Sequence, residues 1–535
     1  MKLKNILILT GAALTLGACS DFLVEDCQTG LPESAVFQDI DLIEQNLVTI
    51  YNNVRGNYVT QNGWLPLSVG TDETQSGAYQ ALKEGAERRS LDYGGSSMNS
   101  TNTYITQVWN GHITQIAQLS KIIRYMLPQS ESDSIESGSQ REQLLGECCF
   151  LRGSLAMELV MLYGRIPVHD YVLNPDQKMD RKDLDLCWEY VFTDLQNAAN
   201  YCPKKNDPQR ATRYAAMMML ARAYMSAPED LGLRDWEKAT EYLKEVCENG
   251  PYDLVEDYAD LYDYTTPNTM ESIFEWQFSP TSSANCLQWL TGSRAAQGTI
   301  PDEGEGCLFA GYDHCLPTEF ARTYESEGGL WEVGDQRYDV AIRTDFTHNG
   351  YTADYSSVQW EGLGDDYDEL EPHIKKYEDP RNDVHAADMG AESSGKNSMY
   401  YSGKNICWLR FGDACLLYAE CLNETGNQDY ALEWVNYVRE RGFGWVYKKA
   451  QQWTSMSKDE FRQKILDERI RELICERWRR FDLLRTGNYP SLVTERNKWA
   501  NRFQSLQDYN KLFPIPYDEL SQNEDMDSSD QNPGY

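Results

Sequence analysis

The chain has 535 residues, 41% hydrophobic and 12% aromatic, a composition that fits a folded globular body and excludes a disordered one. Its formal charge is -35, so its surface repels phosphate backbones and nucleic acid is excluded as a partner. The length admits several domains or one large helical assembly.

The chain opens MKLKNILILTGAALTLGAC. Lys2 and Lys4 precede the uncharged stretch Ile6 to Ala18, which is a secretory h-region and too short to span a bilayer. Leu16-Gly17-Ala18-Cys19 matches the bacterial lipobox, which predicts a lipoprotein signal peptide over 1–18 and lipidation of Cys19. An ordinary signal peptide with a chance cysteine is the alternative. Loss of Lys2 and Lys4 on cleavage takes the charge to -37. Each buried CH₂ contributes about 0.8 kcal/mol, so several acyl chains would hold an otherwise water-loving body on a membrane. Residues 19–34 are polar and read as a tether.

A helical body is predicted over 35–254. Ile43, Leu47, Ile50, Tyr51 and Val54 fall at helical spacing. So do Ile105, Val108, Ile116, Leu119, Ile123 and Met126 within 103–127, and Leu144, Cys148, Leu151, Leu155 and Leu162 within 140–163. Leu184, Trp188, Val191, Leu195 and Ala198 mark a fourth helix. Ala216 and Ala221, followed by a loop and a second helix carrying Ala239, then recur as Ala414 and Ala419, followed by a loop and a second helix carrying Ala431. Small residues at these places let two helices pack closely, as in a tetratricopeptide pair. The fold class is therefore mostly α, a tetratricopeptide-like helix-pair superhelix.

Residues 255–400 lose this period and predict a large loop-rich insertion with short strands, the expected ligand-binding region. Glu271 to Phe278 alternates like a strand, with Trp276 on its packed face. Residues 401–490 return to the helical body, whose last long helix is predicted from Lys458 to Leu484. Residues 491–535 are predicted to be a C-terminal extended segment, because Pro514 and Pro516 remove backbone donors and suit a strap over the helices.

Fourteen cysteines are present and none forms a Cys-x-x-Cys pair, so structural-zinc spacing is absent. Several sit in helical patterns beside apolar residues and read as buried thiols. The six histidines include no His-Glu-x-x-His, and there is no Gly-x-Ser-x-Gly elbow, P-loop or dinucleotide motif. Asp365-Asp366-Tyr-Asp368-Glu369-Leu-Glu371 is acidic but lacks the EF-hand spacing, so a solvated loop is favoured over a calcium site. No catalytic residue, metal ligand or cofactor is predicted.

Ordered pieces along the chain resemble the SusD/RagB-like family of outer-membrane nutrient-binding lipoproteins. They are Cys19-Ser-Asp-Phe-Leu23, Asp335-Gln-Arg337, Trp408-Leu-Arg410-Phe-Gly-Asp413 through Glu420, Glu468 to Arg477, Phe481 to Arg485, Leu512-Phe-Pro514-Ile-Pro516 and Gln531 to Tyr535. The resemblance implies a non-enzymatic protein on the outer membrane, facing the cell exterior. Such a protein binds an oligosaccharide or similar nutrient and delivers it to a TonB-dependent SusC-like transporter. Arg410, Asp413, Glu472, Arg477, Asp482 and Arg485 read as structural ion pairs around the last helices.

Ligand residues are not carried by those motifs and are argued from chemistry. A sugar ring offers C–H groups on its face and hydroxyls at its edge, so an aromatic plate flanked by polar groups fits it. Loop aromatics Trp64, Tyr79, Trp289, Phe309 and Tyr312 are the candidate plates, and Asp72, Glu73 and Asn285 the candidate hydrogen-bonding partners. A surface glycoside hydrolase or lyase on a helical scaffold is the rival, because facing carboxylates cannot be read from an acidic sequence. A pure protein-interaction adaptor is a third reading.

Overall fold

A computed structural model describes residues 37–128, 134–168, 179–279, 285–293, 311–344, 347–348, 351–352, 372–379, 402–446 and 451–535. Cys19, Phe309 and the acidic run 365–371 lie outside the described residues. The chain divides into two compact units, residues 1–46 and 47–535. The described part of the first is 37–46, where the Asp39 carboxylate accepts the Asp41 N–H (2.9 Å) as helix α1, Ile40–Val59, begins.

The second unit carries the helical body. After α1 come α2 (Gln61–Ser68), α3 (Ala78–Leu82), α4 (Ala86–Tyr93), α5 (Thr103–Met126), α6 (Gln140–Tyr163), α7 (Leu184–Tyr201), α8 (Arg213–Ser226) and α9 (Trp236–Glu248). Starts are set by local chemistry. Asn102 accepts from Tyr104 N–H and Ile105 N–H, Ser139 from Glu142 N–H, Thr212 from Ala215 N–H and Asp235 from Lys238 N–H. Helix α6 ends at Gly164, where φ is 73°, a conformation glycine adopts without Cβ strain.

Helix α6 is the centre of the body: every residue from Leu144 to Tyr163 is buried. Its three buried charges are matched. Arg152 binds Asp194 through Nε and Nη2 (both 2.7 Å), Glu147 pairs with Arg210 (2.8 Å), and Glu158 is held by Tyr58 and His112. Helix α6 packs on α7, α7 on α8, and α8 on α9. Helices α13 (Phe411–Glu424) and α14 (Gln428–Gly442) form the next pair, and α13 lies directly against α9. The two hairpins predicted as a repeat are thus neighbours in space. Ala216, Ala221, Ala239, Ala414, Ala419 and Ala431 are all buried at the contacts, as close helix packing requires.

Between α9 and α13 the described chain holds short pieces, including α10 (Leu287–Thr291), α11 (Glu319–Arg322), α12 (Arg337–Ala341) and two-residue strands. The one longer ladder is antiparallel, Ser272–Trp276 with Ile406–Arg410, and it is bulged. It confirms the strand predicted over 271–278. Its aromatics are core: Trp408 lies 5.7 Å from Trp276, 5.6 Å from Phe274 and 6.0 Å from Trp478.

The helix predicted from Lys458 to Leu484 breaks in two, α15 (Lys458–Leu473) and α16 (Arg479–Arg485). Side chains from elsewhere take the backbone groups that would continue it. Arg410 Nη2 and the Tyr258 hydroxyl both donate to the Glu472 carbonyl (2.5 Å each), Tyr377 donates to the Cys475 carbonyl (2.9 Å), and Cys475 N–H donates to Glu73 Oε1 (3.1 Å). Cys475 and Arg477 are left with φ of 62° and 69°. Nor does the segment 491–535 run extended throughout. It contains short helices at Ser491–Arg496, Lys498–Phe503 and Tyr517–Gln522, the second started by Asn497, which caps Trp499 and Ala500 N–H. The strap around Pro514 and Pro516 is present: Phe513 N–H donates to Leu162 O (2.7 Å) and Tyr517 N–H to Ser100 O (2.8 Å).

Around α15 lies a buried network of ion pairs. Glu472 contacts Arg410 and Arg441 (2.5 Å each) and Arg337 (3.0 Å), and Glu468 contacts Arg337 (2.7 Å), Arg439 (2.6 Å) and Arg471 (2.9 Å). Asp413 pairs with Arg222 and Arg469, Asp482 with Arg469 and Arg485, and Arg485 with Glu420. Five of the six residues assigned to this role from sequence pair within this network; Arg477 pairs instead, at 4.0 Å, with Glu158 of α6. Among the described residues eleven cysteines are free thiols, nine of them buried. No described helix is long and apolar enough to cross a membrane.

Candidate ligand-binding site

The segment carrying Tyr312 is pinned beside α10. Tyr312 N–H donates to Trp289 O (3.1 Å), Asp313 N–H to Gly292 O (3.1 Å) and Cys315 N–H to Leu290 O (2.8 Å). The two strands of chain cross so tightly that a Cβ on Gly311 would sit 1.7 Å from the Gly292 carbonyl carbon, which only glycine permits. From the other side, Gly77 N–H donates to Asp313 O (2.9 Å), Gln80 Nε2 to Tyr312 O (2.9 Å) and Arg88 Nη2 to His314 O (2.7 Å). Asp92 braces that contact by accepting Ser76 N–H (2.8 Å) and pairing with Arg88 (3.4 Å); burial still raises its pKa against the Arg88 charge.

This scaffold brings three rings together. Trp289 and Tyr312 are half-buried with centroids 6.2 Å apart. His314 lies 4.7 Å from Trp289 and 5.9 Å from Tyr312, nearly parallel to the latter at 22°. Half-buried rings with fixed backbones offer a rigid, partly wet plate at low ordering cost, the property a ring-shaped polar ligand needs. Sequence reasoning missed His314 because it sought metal spacing. The only signal was its place two residues after Tyr312, and the left-handed Asp313 between them (φ 56°) sets how the rings meet.

The remaining candidates are placed differently. Tyr79, half-buried on α3, packs against Ala78, Ala81 and Trp499. Trp64 is 2% exposed, edge-on to Tyr377 at 5.9 Å and under the Arg477 guanidinium at 5.6 Å. Asp72 is fully buried and accepts two bonds from Arg479 (2.6 Å each) and one from Arg496 (3.2 Å). Asn285 bridges Ser402 through its backbone and donates its amide to Lys404 O (2.8 Å). Glu73 is buried beside Asp72. These four side chains are spent on internal partners instead of being turned to solvent. Their loop-like local sequence concealed long-range burial.

Burial, helped by the neighbouring Asp72 charge, raises the Glu73 pKa to about 8 although Arg479 opposes it. The folded state therefore keeps a proton there that the unfolded chain releases near 4.5. Stability from this group is full below pH 4.5 and falls as pH rises toward 8. Glu73→Gln, which keeps an oxygen for Cys475 N–H, is expected to stabilise by on the order of 3 kcal/mol at pH 8 and by nearly nothing at pH 4. Thermal melts across that range check the trend; a pH-independent difference would contradict it.

Among the described residues no cluster of three or more His, Cys, Asp or Glu could hold a metal ion. The family model described as "SusD family" matches residues 270–535, and the model described as "Starch-binding associating with outer membrane" matches residues 30–225. A SusD-like protein of Formosa agariphila is 24% identical over 551 residues, covering 100% of both chains. The crystal structure of a SusD homolog from Bacteroides thetaiotaomicron superposes with a TM-score of 0.73 at 20% identity, covering 94% of this chain and 98% of that one. Surface glycan-binding protein A from Bacteroides thetaiotaomicron, solved in complex with laminarihexaose, gives a TM-score of 0.70 at 19% identity over 92% and 99%. Two family models that together span most of the sequence, on a helix-pair body of the same fold, lead to one conclusion: the chain belongs to the SusD/RagB-like family.

Proposed function

We propose that this protein is a non-enzymatic, lipid-anchored glycan receptor on the exterior of the outer membrane. It binds an oligosaccharide at the plate formed by Trp289, Tyr312 and His314 and delivers it to a TonB-dependent SusC-like transporter. The observation that carries the reading is the pair of half-buried rings, Trp289 and Tyr312, backed by the buried His314 and held by backbone hydrogen bonds on a rigid scaffold. Family membership supports the ligand class, since one matching model is described as starch-binding and a structural neighbour was solved with laminarihexaose. The lipobox ending at Cys19 supports the anchor. Phe309 and Tyr79 remain candidates to extend the plate.

Hydrolysis is the weaker reading. A buried carboxyl with a raised pKa resembles a general acid, and Glu73 has one. Yet Glu73 is 2% exposed, its oxygen is taken by Cys475 N–H, and the Asp72 beside it is locked to Arg479. Calorimetry of the purified protein against α- and β-glucan oligosaccharides, with chromatography of the recovered sugar, tests the proposal. Saturable binding with intact sugar is expected; turnover of any bound glycan rejects it. Cys19→Ala is expected to move the protein from the membrane to the soluble fraction on cell fractionation, and retention at wild-type level would remove the anchor.

A further inference from the structure

A cleft of about 480 Å³ opens between the end of α1, the start of α2 and the middle of α5. Trp289, Tyr312 and His314 take no part in it. Its walls carry the amides of Asn57, Gln61, Asn62, Gln107, Asn110 and Gln115, and among the described residues no carboxylate lines it. In a chain of net charge -35 such a wall is unusual.

Arg477 lines this cleft from the break between α15 and α16. It is 6% exposed, and its guanidinium lies 3.8 Å over the Tyr58 ring. Nε and Nη1 are sealed from solvent and have no hydrogen-bond partner among the described residues. Its nearest counter-charge, Glu158, is 4.0 Å away, beyond hydrogen-bond reach. That carboxylate is already engaged by the Tyr58 hydroxyl and by His112 Nε2 at 3.0 Å. His112 Nδ1 meets the Val108 carbonyl at 2.8 Å and so must carry a proton. A second proton then lies between Nε2 and Glu158, on one or the other, and the His112–Glu158 pair is neutral as a unit. Arg477 is left with a long ion pair, 4.0 Å to a carboxylate that it shares with His112. Gln115 adds an acceptor: it is buried, and its Oε1 has no partner among the described residues.

Arg477 also holds a φ of 69°, where glycine would be free of strain. A strained residue carrying a loosely paired charge into a cleft is an outlier from which a functional role is fairly inferred. We propose that this cleft is a second ligand site that takes a carboxylate borne on a hydroxylated ring, the chemistry of an acidic saccharide. Arg477 anchors the carboxylate through Nη2, the guanidinium nitrogen that is not sealed from solvent. Gln115 and the other wall amides take the ring hydroxyls. The site goes beyond the neutral-glycan plate and does not depend on it.

The test is titration of the full mature protein with D-glucuronate, with D-glucose as the neutral control, followed by ligand-detected NMR and by calorimetry. Glucuronate is expected to bind saturably in the millimolar range and glucose at least tenfold more weakly. Arg477→Gly is expected to weaken glucuronate binding at least tenfold while leaving the melting temperature unchanged or raised. Should that variant fail to fold, Gln115→Leu is read in its place, with a threefold or larger loss expected. The proposal is overturned if the wild type shows no saturable glucuronate binding, if glucose binds as well, or if the substitution read leaves the affinity unchanged.

Discussion

Glu472→Ala is expected to cost about 3–5 kcal/mol of folding stability at pH 7, the largest loss from any single substitution argued for this chain. One buried carboxylate faces three guanidinium groups, from Arg410, Arg441 and Arg337. Burial alone would push its pKa up, but those cations hold it far below the usual carboxylate range. Each arginine keeps another carboxylate, Arg410 with Glu476, Arg441 with Glu271 and Arg337 with Asp335 and Glu468, but removal takes one negative charge and three guanidinium acceptors out of a buried network, and breaking such a network costs far more than the intact pair contributes. Glu472→Gln keeps the hydrogen-bonding shape but not the charge, so it is expected to recover only part of the loss. The pH dependence follows from the direction of the shift. A carboxylate with a depressed folded pKa stabilises fully above its unfolded value near 4.5 and progressively less below it. The gap between wild type and Glu472→Gln should therefore narrow as pH falls through 4. Urea unfolding at pH 7 and pH 3.5 measures both effects; equal gaps at the two pH values would contradict the account.

Trp289→Ala is expected to weaken glycan binding by about thirtyfold, equivalent to roughly 2 kcal/mol, with little change in stability. Trp289 is half-buried and contributes its ring to the plate, while its backbone carbonyl holds Tyr312. The substitution removes the ring and keeps the carbonyl, so the loop stays pinned and the loss reports the contact itself. Tyr312→Ala is expected to act in the same direction but less, because the Trp289–His314 contact at 4.7 Å survives it. Calorimetry with whichever oligosaccharide binds the wild type gives the comparison. Wild-type affinity in Trp289→Ala, Tyr312→Ala and the double variant would move the ligand elsewhere on the surface.

The body of this protein was legible because helices announce themselves locally. The period of Leu144, Cys148, Leu151, Leu155 and Leu162 located a helix the structure bounds at Gln140–Tyr163, and the small-residue positions at Ala216 and Ala414 located the paired hairpins. The family resemblance rested on ordered charged motifs, and most of those charges form the buried network around α15. Each of these signals lies within a few turns of chain.

Tertiary structure decided what depends on partners distant in sequence. Asp72 and Glu73 sit in a polar loop, and nothing within ten residues tells that Arg479 and Cys475, some four hundred positions later, bury them. The continuous apolar pattern through Leu484 conceals a break made by Arg410, Tyr258 and Tyr377, which take helix-terminal carbonyls that α15 would otherwise keep. That break puts Arg477 at its cleft, and the Gly292–Gly311 crossing puts Tyr312 beside Trp289. Local periodicity reports which face of an element is apolar. Which polar group meets which is settled only when the whole chain has closed around it, because an unpaired buried charge costs more than any local preference supplies.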